Sequence, residues 1–154
     1  MKTPKKWFVL WFTGLPCAGK TTMADAVANK LKEMGYVNIQ RLDWDEIRKN
    51  LCGDLWFSRE DRRKNLERVS YVAKLLSENW VGVIASFVSP YKEDRDRIRE
   101  IVSNYIEVFV DTPLTICEAR DAKGMYAKAR AGLIKEFTGI SDPYEIPINS
   151  DIVI

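Results

Sequence analysis

Near the start of the chain, Gly14, Leu15, Pro16, Cys17, Ala18, Gly19, Lys20 and Thr21 spell G-x-x-x-x-G-K-T, with Thr22 directly after. The two glycines allow a tight backbone turn. A loop of this pattern converges its N–H groups on phosphate oxygens when it joins a strand to the positive end of a helix. Lys20 then neutralises the outer phosphates, Thr21 offers its hydroxyl to magnesium, and Cys17 fills a variable position where the backbone makes the contacts. The expected ligand is a nucleoside triphosphate.

A second group of polar residues lies in "RLDWDEIR". Asp43 and Asp45 fall on the same side of an extended segment, and Arg48 lies about a turn into the next helix. Two carboxylates beside a triphosphate divide between one acting through magnesium, assigned to Asp43, and one facing an acceptor hydroxyl, assigned to Asp45. The competing reading makes one of them a helix cap. In "SFVSP", Ser89 and Pro90 suit the cap and first position of a helix, so capping alone can explain that serine. The chain has no histidine. That excludes Ser-His-Asp and Cys-His mechanisms and makes a zinc site unfavourable. Without an N-K-x-D guanine signature, a switch-type GTPase is disfavoured as well.

The elements that must position these residues follow from hydrophobic pattern. Apolar runs at residues 7–13, 39–42, 81–87, 106–110 and 152–154 alternate with longer helical stretches. The alternation predicts an α/β fold, with a doubly wound, mainly parallel five-stranded sheet and helices on both faces. After the loop, Met23, Val27, Leu31 and Met34 recur at helical spacing and predict a buried stripe ending at Gly35. Ser58 with Asp61 reads as a capping box before a helix that buries Leu66, Val69, Ala73 and Leu76.

The composition fits one domain over residues 1–154. It is 46% hydrophobic and 30% charged, values of a soluble globular protein, and a formal net charge of +2 points to neither a nucleic-acid nor a membrane partner. Cys17, Cys52 and Cys117 are odd in number and widely spaced, which argues against a disulfide framework and fits a reducing cytoplasm. "MKTPKK" before a short apolar run lacks the core and cleavage site of an export signal, and no run approaches a membrane span.

Six ordered segments, "GLPCAGKTT", "LDWDEIR", "WFSREDRRKNLERV", "SFVSPYKEDRD", "IEVFVDTPLTICEARDAKGMYAKARAG" and "FTGISDPYE", resemble those of the adenylyl-sulfate kinases. These phosphate-loop kinases use ATP and magnesium to phosphorylate the ribose 3'-hydroxyl of adenosine 5'-phosphosulfate (APS). The resemblance runs from Phe12 to Ile154. It implies that Arg48, Arg62 and Asn65 hold the phosphosulfate and ribose, and that Phe57 and Phe137 sandwich the APS adenine. It places Val88 and Ser89 at the substrate site, where family descriptions give the serine as a phosphoserine intermediate; direct in-line transfer needs none. Residues 120–137 match a lid over ATP, in which Lys123 meets transferring phosphate charge and Arg120 stacks on the ATP adenine.

Departures from the family pattern concern the acceptor. Trp44 stands where D-G-D is usual, Trp56 where L-G-F-S is usual, and Glu46 and Lys49 replace an asparagine and a histidine. Another nucleotide acceptor is therefore one alternative, and a nucleotide-binding module without turnover is another. Relatives usually continue into a final helix after the position of Ile154. The last face of the sheet is accordingly expected to be covered by a partner subunit, as in a homodimer, or by different packing.

Overall fold

The computed structural model describes residues 7–154. The reading of the first six residues as part of no export signal lies outside the described residues. Five strands, β1 (Val9–Thr13), β2 (Ile39–Asp43), β3 (Gly82–Ser86), β4 (Tyr105–Phe109) and β5 (Ile152–Val153), form one sheet. Their order is β2-β3-β1-β4-β5, and every pairing is parallel. Each observed strand lies within two residues of its expected ends.

Six helices connect them: α1 (Lys20–Glu33), α2 (Trp44–Asn50), α3 (Arg59–Glu78), α4 (Lys92–Ile101), α5 (Leu114–Arg120) and α6 (Met125–Arg130). Strand side chains alternate between the two faces. Val9, Trp11, Val83 and Ala85 pack against Leu66, Val69 and Ala73 of α3 and Ile98 of α4. Phe12, Ile84 and Val108 pack against Ala24 and Ala28 of α1, Cys117 of α5 and Tyr126 of α6. The central strands β1, β3 and β4 are thus buried on both sides, which is why they read as continuous apolar runs.

Two local expectations are corrected. The deepest residues of α1 are Ala24 and Ala28, while Val27 and Leu31 are half-buried and Met23 and Met34 are exposed. Small side chains let the helix backbone approach the sheet, so the apolar spacing marked the flank of the contact and not its centre. The helix does end as expected, with Gly35 at φ +91° just beyond its cap. The second correction concerns α4, which starts at Lys92 and not at Pro90. The N-cap of α4 is Tyr91, and Ser89, at φ +47°, lies in the loop before it. The capping box of α3 is as expected, with Asp61 N–H donating to Ser58 Oγ at 3.1 Å.

Register brings the site together. Asp43 pairs with Ser86, and Ser86 with Phe12, so β1, β2 and β3 end nearly level. Ligands in open parallel sheets bind beyond these carboxyl ends.

Candidate active site

The loop after β1 is shaped by backbone constraints. A Cβ on Gly14 would lie 2.8 Å from the Val110 carbonyl oxygen, and Gly19, at φ +104°, leads directly into α1. The carbonyls of residues 14–18 all accept hydrogen bonds from side chains. Lys20 Nζ donates to Gly14 O at 3.0 Å and Leu15 O at 2.7 Å; Tyr126 Oη donates to Pro16 O at 2.8 Å. Arg120 donates to Cys17 O and Ala18 O, both at 3.2 Å, and Thr112 Oγ1 donates to Ala18 O at 2.8 Å. With its carbonyls held in this way, the loop offers an anion its N–H groups and the positive end of α1. Burial pushes the Lys20 ammonium down to about 8, opposed by the nearby Cys117 and Cys17 thiols and the Asp43 carboxylate. An incoming phosphate supplies the negative charge that favours the protonated lysine.

Beside the loop lies a cleft of about 800 Å³, lined by Gly19, Thr21, Thr112, Pro113, Ile116 and Arg120 among others. Its volume suits a nucleotide. Thr112 and Tyr126 were missed by sequence reasoning. For Thr112 the available signal was the polar "DTP" one residue beyond β4, where a parallel strand ends at the site; Tyr126 carried none.

Asp43 takes the capping role that was one of its two sequence readings, and its second oxygen faces the phosphate loop. One carboxylate oxygen caps α2, accepting from Asp45 N–H at 3.2 Å. The other accepts from Thr21 Oγ1 at 2.9 Å and Ser86 Oγ at 2.8 Å. Burial would raise this carboxyl, but the Ser86 and Thr21 hydrogen bonds, the Asp45 amide and the Arg41 guanidinium outweigh it and hold the carboxyl below the usual range. Thr21 and Asp43 provide the hard oxygen donors that magnesium prefers. Among the described residues no cluster of three or more histidine, cysteine or acidic side chains could hold a metal. That donor set fits an ion delivered with nucleotide phosphates and water.

Asp45 belongs to the first turn of α2 and not to an extended segment. It is exposed and pairs with Lys123 Nζ at 2.7 Å, which joins α2 to the turn between α5 and α6. Arg48 lies one turn further along α2. Its guanidinium carbon is 3.9 Å from the Phe57 ring centroid and 5.2 Å from that of Trp44.

Arg62, Phe57 and Phe137 are linked through hydrogen bonds. Arg62 donates to Phe57 O at 2.8 Å, Thr138 Oγ1 at 2.6 Å, Asp142 Oδ2 at 3.3 Å and also Glu136 O. Its donors are therefore engaged by the protein itself, holding the chain on both sides of Phe137 to the segment carrying Phe57. Phe137 meets Tyr126 edge-on, with centroids 5.0 Å apart. Asn65 is only 2% exposed, and neither its amide nitrogen nor its oxygen has a hydrogen-bond partner among the described residues. A buried amide left this way is costly unless a ligand or water completes it.

Val88 O accepts from Thr13 Oγ1 at 2.7 Å and so helps fix the strand end. Ser89 is 2% exposed and its Oγ accepts from Trp11 Nε1 at 2.9 Å. The Ser89 hydroxyl, in the loop that follows β3, is thereby tied to a core indole. Of the two tryptophans expected beside the pocket, Trp56 is 75% exposed, whereas Trp44 packs edge-on against Phe87 with centroids 6.3 Å apart.

Comparison with known proteins matches this arrangement to one family. The sequence model described as adenylylsulphate kinase matches residues 6–154. A probable adenylyl-sulfate kinase of Pseudomonas aeruginosa is 61% identical over 145 residues, covering 94% of this chain and 67% of the relative. The adenylyl-sulfate kinase of Halothermothrix orenii is 55% identical over 148 residues, covering 96% and 80%. The structure of the Mycobacterium tuberculosis APS kinase CysC in complex with AMPPNP and APS superposes with a TM-score of 0.94 at 44% identity, covering 98% of this chain and 89% of that one. With the phosphate loop, the parallel sheet and these matches along nearly its whole length, the chain belongs to the adenylylsulphate kinase family.

Proposed function

We propose that this protein transfers the γ-phosphoryl group of ATP to the ribose 3'-hydroxyl of APS, giving 3'-phosphoadenosine 5'-phosphosulfate and ADP. The observation that carries this reading is the Asp45–Lys123 pair, which joins an acceptor-side carboxylate to a cation on the segment flanking the nucleotide cleft. In the transfer, the 3'-oxygen bonds to the γ-phosphorus as the bond to the β-bridging oxygen breaks. Asp45 orients the hydroxyl and takes its proton, and Lys123 and Lys20 meet the charge of the transferring group. Magnesium, when bound with ATP, neutralises phosphate charge; Thr21 and Asp43 are the residues that would hold it.

Arg48 recognises the doubly anionic phosphosulfate, and the Asn65 amide completes its hydrogen bonds with the substrate. Phe57 and Phe137 receive the APS adenine, with Arg62 setting their separation and Val88 and Ser89 supporting the pocket floor. Arg120 flanks the ATP base, and residues 120–137 act as a lid on a single kinase domain. A cytoplasmic setting is supported by three free cysteines among the described residues. No helix there is long and apolar enough to cross a membrane. The proposed assembly is a homodimer, supported by the exposed Ile146, Ile148 and Val153; light scattering should give twice the chain mass.

A coupled assay of ADP release with ATP, magnesium and APS tests the activity. Release that requires APS and is not supported by AMP is expected. ADP release that is equal with AMP, or absent with both, overturns the reading.

A further inference from the structure

Arg48 and Arg62 differ in how their guanidiniums are held. Arg62 uses its donors on Phe57 O, Thr138, Asp142 and Glu136. Among the described residues Arg48 has a single hydrogen bond, a long one from Nη2 to Leu55 O at 3.3 Å, and is held mainly through the faces of two rings. Stacking fixes the plane of a guanidinium without consuming its in-plane N–H donors. Arg48 thus sits between two rings with most of its donors unengaged among the described residues.

Trp44 is the part of this stack tied to the core. It lies one helical turn before Arg48 on α2, in i,i+4 relation, and its ring meets that of Phe87, just after β3, at 79° with centroids 6.3 Å apart. Phe57, by contrast, is exposed on its own account. An arginine anchored this way has lost much of its rotamer freedom before any anion arrives, so less is lost on binding. Because Arg48 covers one face of Phe57, the other face is left for a base.

We propose that Trp44 is a positioning residue for Arg48 and, through it, a determinant of affinity for the phosphosulfate end of the acceptor. This rests on the reading of Arg48 as the anion-binding residue of an APS kinase. Trp44 acts through the π face of its ring, and apolar bulk alone is insufficient.

The test compares Trp44→Leu, Trp44→Phe, Arg48→Ala and the Trp44→Leu/Arg48→Ala double variant in steady-state kinetics at saturating ATP and magnesium. Trp44→Leu keeps apolar packing on Phe87 but removes the π face. It should raise the KM for APS about three- to tenfold, with kcat and the KM for ATP within about twofold of the parent. Trp44→Phe should stay within about twofold of the parent, and Trp44→Leu should add nothing in the Arg48→Ala background. Parent-like KM in Trp44→Leu, equal loss in Trp44→Phe, or an undiminished effect without Arg48 overturns the proposal. A second readout is independent of turnover: in the free protein, NMR should show the Arg48 side-chain protons shifted by ring currents, partly relieved in Trp44→Leu and kept in Trp44→Phe. If the parent does not turn over APS, the functional reading fails. The ring-current shift still decides positioning, its partial relief in Trp44→Leu supporting the role of Trp44 and an unchanged shift in that variant overturning it.

Discussion

Lys123 Nζ lies 2.7 Å from an Asp45 carboxylate oxygen, with both side chains about two-thirds exposed. Exposed pairs of this kind contribute only about 0–1 kcal/mol, so incoming phosphate and acceptor groups can separate them readily. The pair therefore marks where two halves of the site meet more than it stabilises the fold. Asp45→Asn should leave ATP affinity nearly unchanged and lower turnover by roughly a hundredfold or more, the scale of losing a positioned base. Calorimetric ATP binding alongside kcat checks this. Collapse of ATP binding with a shifted magnesium dependence would instead make Asp45 a metal-site residue.

Lys20 makes its contacts with loop carbonyls while buried, and burial already holds its ammonium down at about 8. Lys20→Ala should abolish phosphoryl transfer while leaving the thermal unfolding transition cooperative, because the side chain serves phosphate charge and not apolar packing. Comparable turnover in the folded variant would contradict the role of the loop.

Asp43 caps α2 with one oxygen and meets Thr21 and Ser86 with the other. Asp43→Asn can keep the capping oxygen but places an amide NH2 against the Thr21 and Ser86 hydroxyls and the Arg41 guanidinium, so it should cost about 1–3 kcal/mol by denaturant titration. Its magnesium requirement should rise at least about tenfold. An unchanged magnesium dependence would remove Asp43 from the metal site.

Ser89→Ala distinguishes a structural serine from a phosphorylated intermediate. Removing Oγ leaves the buried Trp11 Nε1 without its acceptor, which should cost about 1–3 kcal/mol of stability. Turnover at a temperature where the variant is folded should remain within about tenfold of the parent. Complete loss of transfer in the folded variant would restore the nucleophile reading.

The strands and the phosphate loop were legible because both depend on local pattern: apolar runs for a sheet covered on both faces, and glycine spacing for the turn. The depth of α1 was not. Met23 and Leu31 looked like core, yet Ala24 and Ala28 face the sheet, since close backbone approach selects small residues whose apolar signal is weak. Ser89 was misread as a cap because a left-handed backbone on a non-glycine residue leaves no mark in sequence. The capping role of Asp43 was legible from its place before α2, but its contacts with Thr21 and Ser86 were not, because register and topology bring them together. The resemblance assigns Arg62 to the phosphosulfate and ribose; only tertiary structure shows it tied to the chain around Phe137. The packing of Trp44 on Phe87 likewise crosses from α2 to β3 and is invisible to spacing.

The central claim is the identity of the group phosphorylated. Phosphorus NMR of a reaction containing ATP, magnesium, APS and the intact protein should show one new phosphomonoester signal, coupled to the ribose 3' proton, growing in step with ADP while the phosphosulfate signal is retained. ADP formation accompanied only by inorganic phosphate, or by a phosphomonoester at another ribose position, would contradict the account.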